Sequence, residues 1–525
     1  MKAGPAAAGL VLAWCVLVAW TPLRDLDWGW HLATFERWIA EGRLPWDDRF
    51  AWGSQGAYEP VHCLFQLLVG GLHRALGLPG LVVFKALMHA AIGLCLWGGL
   101  RGRGLGPWLA AALTLLVLAG STSRLLERPH LFTTLGLVLL IDLLLRARDD
   151  GRHPWPLVPL MALWSCAHPG VVFGTLALGG FLLAEAGWQL LARARGGPPR
   201  VTGPRLVRLW AWGVTALLAT GLNPLSWDLY PYLLAHRHMQ GAIEVAELRG
   251  LFAHPGRGIP VSHLLVSGLW ILGALAALRR PRRLDPTLTP MALCFAVLGV
   301  VVAREAPLAL IALAFALAPT LRPAPRAGRR LRVGLVLLLL VLPGLTLART
   351  VAGKLGCGLS PGTYPVGPAE WILAHRPRGR LWNTNYTGGY LVWRLATDPD
   401  GWQVHTDGRM PMFERALLEA RDLAALDARW RPEILVLDWT PGQRTYYAFE
   451  GEEWFQRDFA LVHTSSGGKV YLRREGRNSE LVERWGYRAL RYVGRWIQAQ
   501  PGDDLRRELT RARAEDPQNP HLPPP

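Results

Sequence analysis

The sequence lacks the motifs of several large enzyme classes. Its 525 residues include only six cysteines, and these are scattered without a CxxC pair or a zinc-type spacing. Neither a disulfide framework nor a cysteine metal site is therefore predicted. HExxH does not occur, and "NTNYTGG" lacks the Gly-Lys-Ser/Thr of a P-loop. These absences exclude HExxH metalloproteases and P-loop NTPases.

Acidic residues are scarce relative to basic ones, with 39 Asp and Glu against 57 Lys and Arg and a formal net charge of +18. The arginines concentrate in alternate loops between long apolar runs: 101 and 103; 146, 148 and 152; 193, 195, 200, 205 and 208; 279, 280, 282 and 283; 322, 326, 329, 330 and 332. This is the positive-inside pattern of membrane proteins, so the basic excess predicts topology and does not require nucleic acid as a partner. Anionic membrane lipids are the expected partners of these loops.

Apolar runs are what the sequence has in abundance, since 51% of its residues are hydrophobic. Many runs approach the roughly 20 residues that cross about 30 Å of hydrocarbon. The predicted fold is a polytopic all-α membrane protein with about eleven transmembrane helices in a membrane domain of residues 1–349. We expect the protein to lie in the inner (plasma) membrane. The arginine pattern predicts that its N-terminus is in the cytoplasm. The predicted spans are 6–23, 81–100, 105–121, 130–145, 155–167, 171–191, 206–222, 261–278, 288–303, 306–321 and 333–348.

Residues 350–475 differ in character and predict a small extracytoplasmic α/β domain. "RLWNTNYTGGYLVWRL" predicts strands around a Gly-Gly turn, and "WQVHTDGRMPMF" predicts a short strand that ends in Asp-Gly. "RALLEARDLAALDARW" predicts a helix, "PEILVLDW" a buried strand and "FALVHTSSGGKVYLRR" a β-hairpin. For residues 476–525 we expect a helical hairpin followed by a disordered tail.

The first outer loop, residues 24–60, is rich in carboxylates and tryptophans. Its apolar spacing from Trp28 to Ile39 predicts a helix along the membrane surface, with Asp25 and Asp27 at its N-terminal end. Capping of the helix explains one carboxylate well, but two at i and i+2 less well. Alternatively, the pair binds a divalent cation through oxygen ligands, or one member is the general base for an acceptor hydroxyl.

"DLDWGWHLATFERWIAEGRLPWDDRFAW" resembles the first loop of bacterial GT-C-like membrane glycosyltransferases, which runs Asp-x-Asp, Trp-His-Leu, Gly-x-x-Pro, Asp-x-Phe. "NTNYTGGYLVWRL" and "VHTDGR" are similar to segments that follow the last span of those proteins. The resemblance implies a GT-C fold, a polyprenyl-phosphate-linked sugar donor and inversion at the anomeric carbon. It puts Asp25 or Asp27 in the catalytic position, with Asp27 favoured, and His31 and Asp48 at recurrent polar positions. Asp25 has a second implied role as a metal ligand or hydrogen-bond partner.

Three arginines near predicted outer helix ends are candidates for binding the donor phosphate. Arg124 and Arg128 lie in "SRLLERPHLF", and Arg304 lies at the junction of two spans. The planar guanidinium fork suits phosphate oxygens. The alternatives are anchoring of a helix end for Arg124 or Arg128, and packing for the Arg304–Glu305 pair.

Three functions remain open at this point. The first is a transferase that moves a sugar from a polyprenyl-phosphate carrier to an unidentified glycan, lipid or protein acceptor on the outer face. The second is a transporter or flippase for lipid-linked sugars, and the third is a non-catalytic envelope scaffold. The polar residues crowd the outer helix ends and no internal repeat is evident, which favours the transferase over the transporter. Fold likeness alone does not exclude the scaffold.

Overall fold

The computed structural model describes residues 3–523 with gaps. The longest gaps cover most of 243–280 and all of 323–328. Shorter gaps lie at 55, 125, 199–200, 354, 397, 399–400, 410–412, 414–415, 417–421, 440–447, 494–495 and 499–501. The predicted span 261–278 lies almost entirely outside the described residues.

Helices make up most of the described chain. In chain order they are α1 (Ala3–Ala19), α2 (Trp28–Glu41), α3 (Cys63–Leu76), α4 (Pro79–Gly102), α5 (Pro107–Gly120), α6 (His130–Asp149), α7 (Leu157–Ala167), α8 (Val171–Ala194), α9 (Gly203–Ala219), α10 (Leu229–Ala242), α11 (Leu288–Val301), α12 (Ala306–Leu317), α13 (Arg329–Val351), α14 (Val366–His375), α15 (Asn385–Leu395), α16 (Leu423–Trp430), α17 (Glu453–Asp458), α18 (Ser479–Trp485) and α19 (Asp503–Glu515).

Six short strands form two sheets. They are β1 (Leu381–Asn383), β2 (Ile434–Leu437), β3 (Phe459–Ser465), β4 (Gly468–Arg473), β5 (Arg491–Val493) and β6 (Trp496–Gln498). The larger sheet has the order β1-β2-β4-β3, with β1 and β2 parallel and the other pairs antiparallel. The antiparallel pair β5 and β6 forms the second sheet.

Four helices are long and apolar enough to cross a membrane: α4, α6, α8 and the segment Val333–Val351 of α13. Five shorter apolar helices accompany them, namely α1, α3, α5, α7 and α11. The protein is therefore a membrane protein with a mostly helical fold. The count of eleven spans stays a prediction, as do the inner membrane and the orientation of the termini.

The chain divides into two units, and the first comprises Met1–Pro22 and Val61–Gly358. At its centre α12 is buried along its whole length, and all but two residues of α5 are buried. Small residues allow close helix contacts, because a Cβ on Gly136 would lie 2.5 Å from the Trp164 ring. Close approach through small residues is typical of helix packing in membranes.

A buried ion-pair network joins several helices at one end of this unit. Arg148 near the end of α6 donates to Glu185 of α8 at 2.9 Å and to Asp285, just before α11, at 2.5 Å. Arg103 adds a 3.2 Å ion pair to the same Asp285. The side chains of Arg148, Glu185 and Asp285 are at most 4% exposed, so these charges satisfy one another away from solvent.

The second unit comprises Leu23–Pro60 and Leu359–Pro525, so the first loop groups with the C-terminal residues. Its core lies on the four-stranded sheet, where every residue of β2, β3 and β4 is buried. The predicted strand in "PEILVLDW" and the predicted hairpin in "FALVHTSSGGKVYLRR" are confirmed as β2 and as β3 with β4.

Three other local predictions for this unit are wrong. "NTNYTGG" does not form a turn between strands but begins α15 directly after β1. "WQVHTDGR" contributes a single bridge, between Ala51 and Val404, and no strand. Residues 480–515 contain the β5–β6 pair between two helices and are not a helical hairpin. In the tail, His521 stacks on Trp439 with ring centroids 4.0 Å apart, and the expected disorder stays a prediction.

Candidate functional site

The first loop forms the predicted helix, and α2 presents its apolar face to the core of the second unit. All residues from Trp28 to Phe35 are buried, and the helix ends at Gly42, whose φ of 65° is a left-handed conformation that suits glycine. Trp28 donates from Nε1 to the Tyr364 hydroxyl at 3.0 Å, and Tyr364 donates to the Asp25 carbonyl at 2.7 Å. These bonds fix the start of α2 and the residues just before it.

Asp25 and Asp27 occupy different environments. Asp25 is 1% exposed, and its Oδ1 accepts a hydrogen bond from the Asp27 N–H at 3.2 Å. Asp27 is half-buried at the N-cap position of α2, but its side chain makes no capping hydrogen bond. Capping therefore does not account for the Asp27 carboxylate, and Asp25 supports the backbone that carries it.

Glycines hold the start of α2 against α15. A Cβ on Gly29 would lie 2.1 Å from the Gly389 carbonyl oxygen, and one on Gly389 would lie 2.0 Å from the Leu26 carbonyl oxygen. Because side chains at these positions would overlap backbone atoms, the two helices touch backbone to backbone. Gly389 is thus a helix-contact residue, while a Cβ on Gly388 would lie 1.9 Å from the Thr406 carbonyl oxygen. These contacts correct the interpretation of the Gly-Gly pair as a turn.

The Asp407-Gly408-Arg409 segment lies directly against Asp27. A Cβ on Gly408 would lie 1.8 Å from Oδ1 of Asp27, so the carboxylate packs against the Gly408 backbone. Asn383, at the end of β1, fixes the chain just before this segment. Its side chain accepts from the His405 N–H at 2.7 Å and donates to the Thr406 carbonyl at 2.9 Å.

Arg409 joins this segment to the first loop through buried ion pairs. Its guanidinium donates to Asp407 at 2.5 Å and to Asp48 at 2.9 Å, and its side chain is 5% exposed. Burial alone would lower the pKa of Arg409, but the two carboxylates outweigh it and hold the pKa above its usual range. Four ring centroids lie 5.6 to 5.8 Å from the guanidinium carbon, those of Trp30, Phe50, Tyr58 and Phe413. This cation–π setting further stabilises the charge.

Two loop residues that were predicted to bind substrate therefore make buried contacts within the second unit. Asp48 is the partner of Arg409, and its side chain is fully buried. His31 is 1% exposed, and its ring lies against that of Trp30, with centroids 3.5 Å apart and an angle of 30° between the ring planes. Sequence reasoning missed Asp407 and Arg409, although "VHTDGR" was one of the segments that carried the family resemblance.

The divalent cation predicted at Asp25 has no ready ligand set. Among the described residues, no group of three His, Cys, Asp or Glu side chains is arranged to hold a metal ion. Carboxylate oxygens are suitable ligands, but a cation of this kind takes six or more oxygens. The described side chains therefore do not supply a complete ligand set by themselves, and the metal stays a prediction.

In the first unit, Arg124 and Arg304 line one pocket. Arg124 ends the short turn Thr122–Arg124, and Arg304 lies in the turn Ala303–Glu305 before α12. His130, Thr133, His168 and Glu305 also line the pocket. Arg128 is half-buried and is not among its lining residues in the described part of the chain. Two of the three arginines predicted to bind phosphate thus converge, although they are 180 residues apart in sequence.

Hydrogen bonds orient the histidines of this pocket. His168 Nδ1 accepts from the Gly170 N–H at 2.9 Å and lies 2.7 Å from the Thr133 hydroxyl. Because Nδ1 accepts from a backbone N–H of the turn after α7, Nε2 is the nitrogen that carries the proton in the neutral ring. His130 Nε2 bonds to the Arg124 carbonyl. Glu305 lies 3.8 Å from Arg304, so the pocket contains an acid beside its two cations.

Lys85, a charged residue within α4, is also paired. Its Nζ lies 3.1 Å from Glu127 and donates to the Thr21 carbonyl at 3.1 Å, and both charged side chains are at most 3% exposed. The ion pair explains how the Lys85 charge is accommodated within α4, so its ammonium group does not need to reach the membrane surface.

Comparison with solved structures gives the fold class. The archaeal oligosaccharyltransferase AglB from Archaeoglobus fulgidus, in complex with an inhibitory peptide and a dolichol-phosphate, matches with a TM-score of 0.56 at 13% identity, over 89% of this chain and 74% of that one. The same oligosaccharyltransferase tethered to an acceptor peptide with an NVT sequon matches equally well. ArnT from Cupriavidus metallidurans bound to undecaprenyl phosphate matches with a TM-score of 0.47 at 13% identity, over 89% of this chain and 96% of that one. No protein-family model and no curated protein sequence matches the chain. The two oligosaccharyltransferase matches give this chain the GT-C fold, as the sequence predicted.

Proposed function

We propose that this protein is a membrane glycosyltransferase that moves a sugar from a polyprenyl-phosphate carrier to an acceptor on the outer face of the membrane. The observation that carries the proposal is the Asp27 carboxylate, which is half-buried, unused for capping and held against Gly408. The GT-C fold supports the reaction class, and one neighbour of that fold was solved with dolichol-phosphate.

Asp27 is the proposed general base. It accepts the proton of the acceptor nucleophile as that group attacks the anomeric carbon, while the bond from this carbon to the phosphate oxygen breaks with inversion. Asp25 is a positioning residue, since its side chain bonds to the Asp27 N–H. The Arg409 ion pairs to Asp407 and Asp48 are proposed to keep the surrounding loop rigid.

Arg124 and Arg304 are the proposed ligands of the carrier phosphate. Two guanidinium groups in one pocket can donate several charge-assisted hydrogen bonds to phosphate oxygens, including the oxygen that leaves with the carrier. His168 adds a neutral Nε2–H donor to the same pocket.

Replacement of Asp27 by Asn tests the catalytic role. Cells that lack the protein are complemented with wild type, with Asp27→Asn or with Asp47→Asn, and their lipid-linked sugars are compared by mass spectrometry. We expect a polyprenyl-phosphate sugar to accumulate without the protein and with Asp27→Asn, because removal of a general base slows transfer about a hundredfold or more.

Asp47→Asn is the matched control. Asp47 lies in the same loop, but its side chain is 42% exposed and pairs with Arg37 and Arg49. It should clear the lipid as wild type does. Clearance by Asp27→Asn would contradict the catalytic role and favour transport, whereas an unchanged lipid pool in all strains would favour the scaffold.

Replacement of Arg304 by Lys tests the phosphate role. Lysine keeps the charge but loses the planar fork, so we expect KM for the lipid-linked donor to rise about tenfold with a smaller change in kcat. Arg193→Lys, at an exposed arginine near the end of α8, is the control and should leave both constants unchanged. An unchanged KM in purified Arg304→Lys would place the donor phosphate elsewhere.

A further inference from the structure

The fold brings two cysteines together that are 103 residues apart in sequence. Cys63 is the first residue of α3, and Cys166 lies in the last turn of α7. The Cys63 thiol donates to the Cys166 carbonyl oxygen at 3.3 Å, and the Cys166 thiol donates to the Leu222 carbonyl oxygen at 3.4 Å. Both are free thiols, Cys63 buried and Cys166 half-buried.

Two histidines flank this cysteine pair. The rings of His62 and His168 stack with centroids 5.6 Å apart, and His62 Nδ1 lies 3.4 Å from the Ala167 carbonyl oxygen. The start of α3 and the turn after α7 therefore meet along several consecutive residues. Packed side chains on both sides limit how far the two thiols can separate.

We propose that Cys63 and Cys166 form a reversible disulfide, and that this pair is a redox modification site of the protein. Each thiol loses one proton as the sulfur–sulfur bond forms. The two electrons pass to a thiol oxidant such as diamide, or to the disulfide of a thiol oxidoreductase, which is reduced to two thiols. Only a short movement is needed, because one thiol already contacts the backbone of the other residue.

The cross-link lies beside the arginine pocket. Cys166 lies two residues before His168 in sequence. His168 lines that pocket together with Arg124 and Arg304. A disulfide would close a long chain loop and hold α3 to the turn that carries His168. The oxidised protein should therefore unfold at a higher temperature than the reduced protein. The inference does not depend on the proposed transferase activity.

The experiment uses the full chain purified in detergent. The native protein is treated with diamide, and a second sample is treated with a reductant. Both are then denatured in the presence of a maleimide, digested and analysed by mass spectrometry. We expect the oxidised sample to yield a peptide pair joined through Cys63 and Cys166, lighter than the two free peptides by two hydrogen atoms, and unlabelled at both residues.

Two variants test the geometry. Cys166→Ser should give no cross-link to Cys63 and no oxidation-dependent rise in melting temperature. The double variant Cys166→Ser with Leu163→Cys moves the thiol to a neighbouring position of α7 that is 57% exposed, and it should also fail to cross-link. Maleimide labelling of Cys63 and Cys166 in oxidised wild type would overturn the proposal, as would an equally efficient cross-link from Leu163→Cys.

Discussion

Individual residues of the first loop have different roles at the candidate site. Asp25 is buried and bonded to backbone, so it holds the chain in place, whereas Asp27 keeps a half-buried carboxylate against Gly408. Sequence spacing alone does not separate these two roles, since either aspartate precedes α2 by three residues or fewer. Burial distinguishes the two roles, and so does the hydrogen bond from the Tyr364 hydroxyl to the Asp25 carbonyl, which joins residues 339 positions apart in sequence.

Gly408 provides a residue-scale test of the Asp27 geometry. A Cβ in Gly408→Ala would overlap the tip of the Asp27 side chain, which can rotate away, and would meet no backbone atom among its nearest neighbours. We therefore expect sugar transfer to fall at least about tenfold while the melting temperature changes little. Transfer is measured with purified protein and lipid-linked donor, and unfolding by thermal scanning.

The control for this test is Gly502→Ala. Gly502 has an extended φ of 171°, and a Cβ there would meet nothing within 4 Å. It should leave both activity and stability unchanged. Full activity in Gly408→Ala would show that the position of the Asp27 carboxylate does not matter for transfer.

Arg409 shows why part of the site escaped sequence reasoning. Its partner Asp48 is 361 residues away, and no local pattern reports such a pair. Asp48 itself was found from the loop motif, but its predicted binding role rests on the resemblance, while its observed contact is a buried ion pair. The sequence thus indicates candidate site residues, whereas their long-range partners were not predictable from it.

At the scale of elements, prediction succeeded where burial and local propensity agree. The Ile-Leu-Val-Leu run of β2 and the hairpin of β3 and β4 were found because β-branched and aromatic residues suit strands. It failed at α15, since glycine is unfavourable in helices and the Gly388-Gly389 pair is a common turn signal. Close contact with α2 requires glycine there, and this tertiary contact overrides the propensity.

The Arg148 network gives an element-scale prediction about stability and pH. Burial alone would raise the pKa of Asp285, but the hydrogen bonds and charge of Arg148 outweigh it and lower the pKa to about 2. The usual value is about 4, so the ionised group stabilises the fold by about 2.5 kcal/mol at neutral pH. This contribution is complete above about pH 4 and is lost as the pH falls towards 2.

Asp285→Asn should consequently lower the melting temperature at pH 7, and its difference from wild type should narrow as the pH falls below about 4. Thermal unfolding in detergent across this range measures both effects. Asp150→Asn, at an exposed position next to the end of α6, is the control and should match wild type at each pH. A difference that stays constant down to pH 2.5 would mean that the charge of Asp285 is not what stabilises these helices.

For the whole molecule, composition and hydropathy predicted a membrane protein. The resemblance of the first loop and of two C-terminal segments predicted the GT-C fold, and the solved structures agree. Composition and hydropathy did not predict how the chain divides into its two units. The first loop groups with residues 359–525, although it lies between two segments of the other unit in sequence. Hydropathy locates apolar helices one at a time, whereas this grouping arises from contacts such as Trp28 with Tyr364.

Topology is the remaining whole-molecule prediction, and Cys357 can test it. The arginine-rich loops predict a cytoplasmic N-terminus and an extracytoplasmic C-terminal unit. Cys357 is exposed and follows α13, so it should react with a membrane-impermeant maleimide in cells whose outer envelope is permeabilised but whose inner membrane is intact. Cys357→Ser should abolish this labelling. In a Cys357→Ser background, Arg193→Cys places a thiol in a predicted inner loop, and it should be labelled only after lysis. If Cys357 reacts only after lysis while Arg193→Cys reacts in intact cells, the orientation is the reverse of the one predicted, and the acceptor would have to be sought in the cytoplasm.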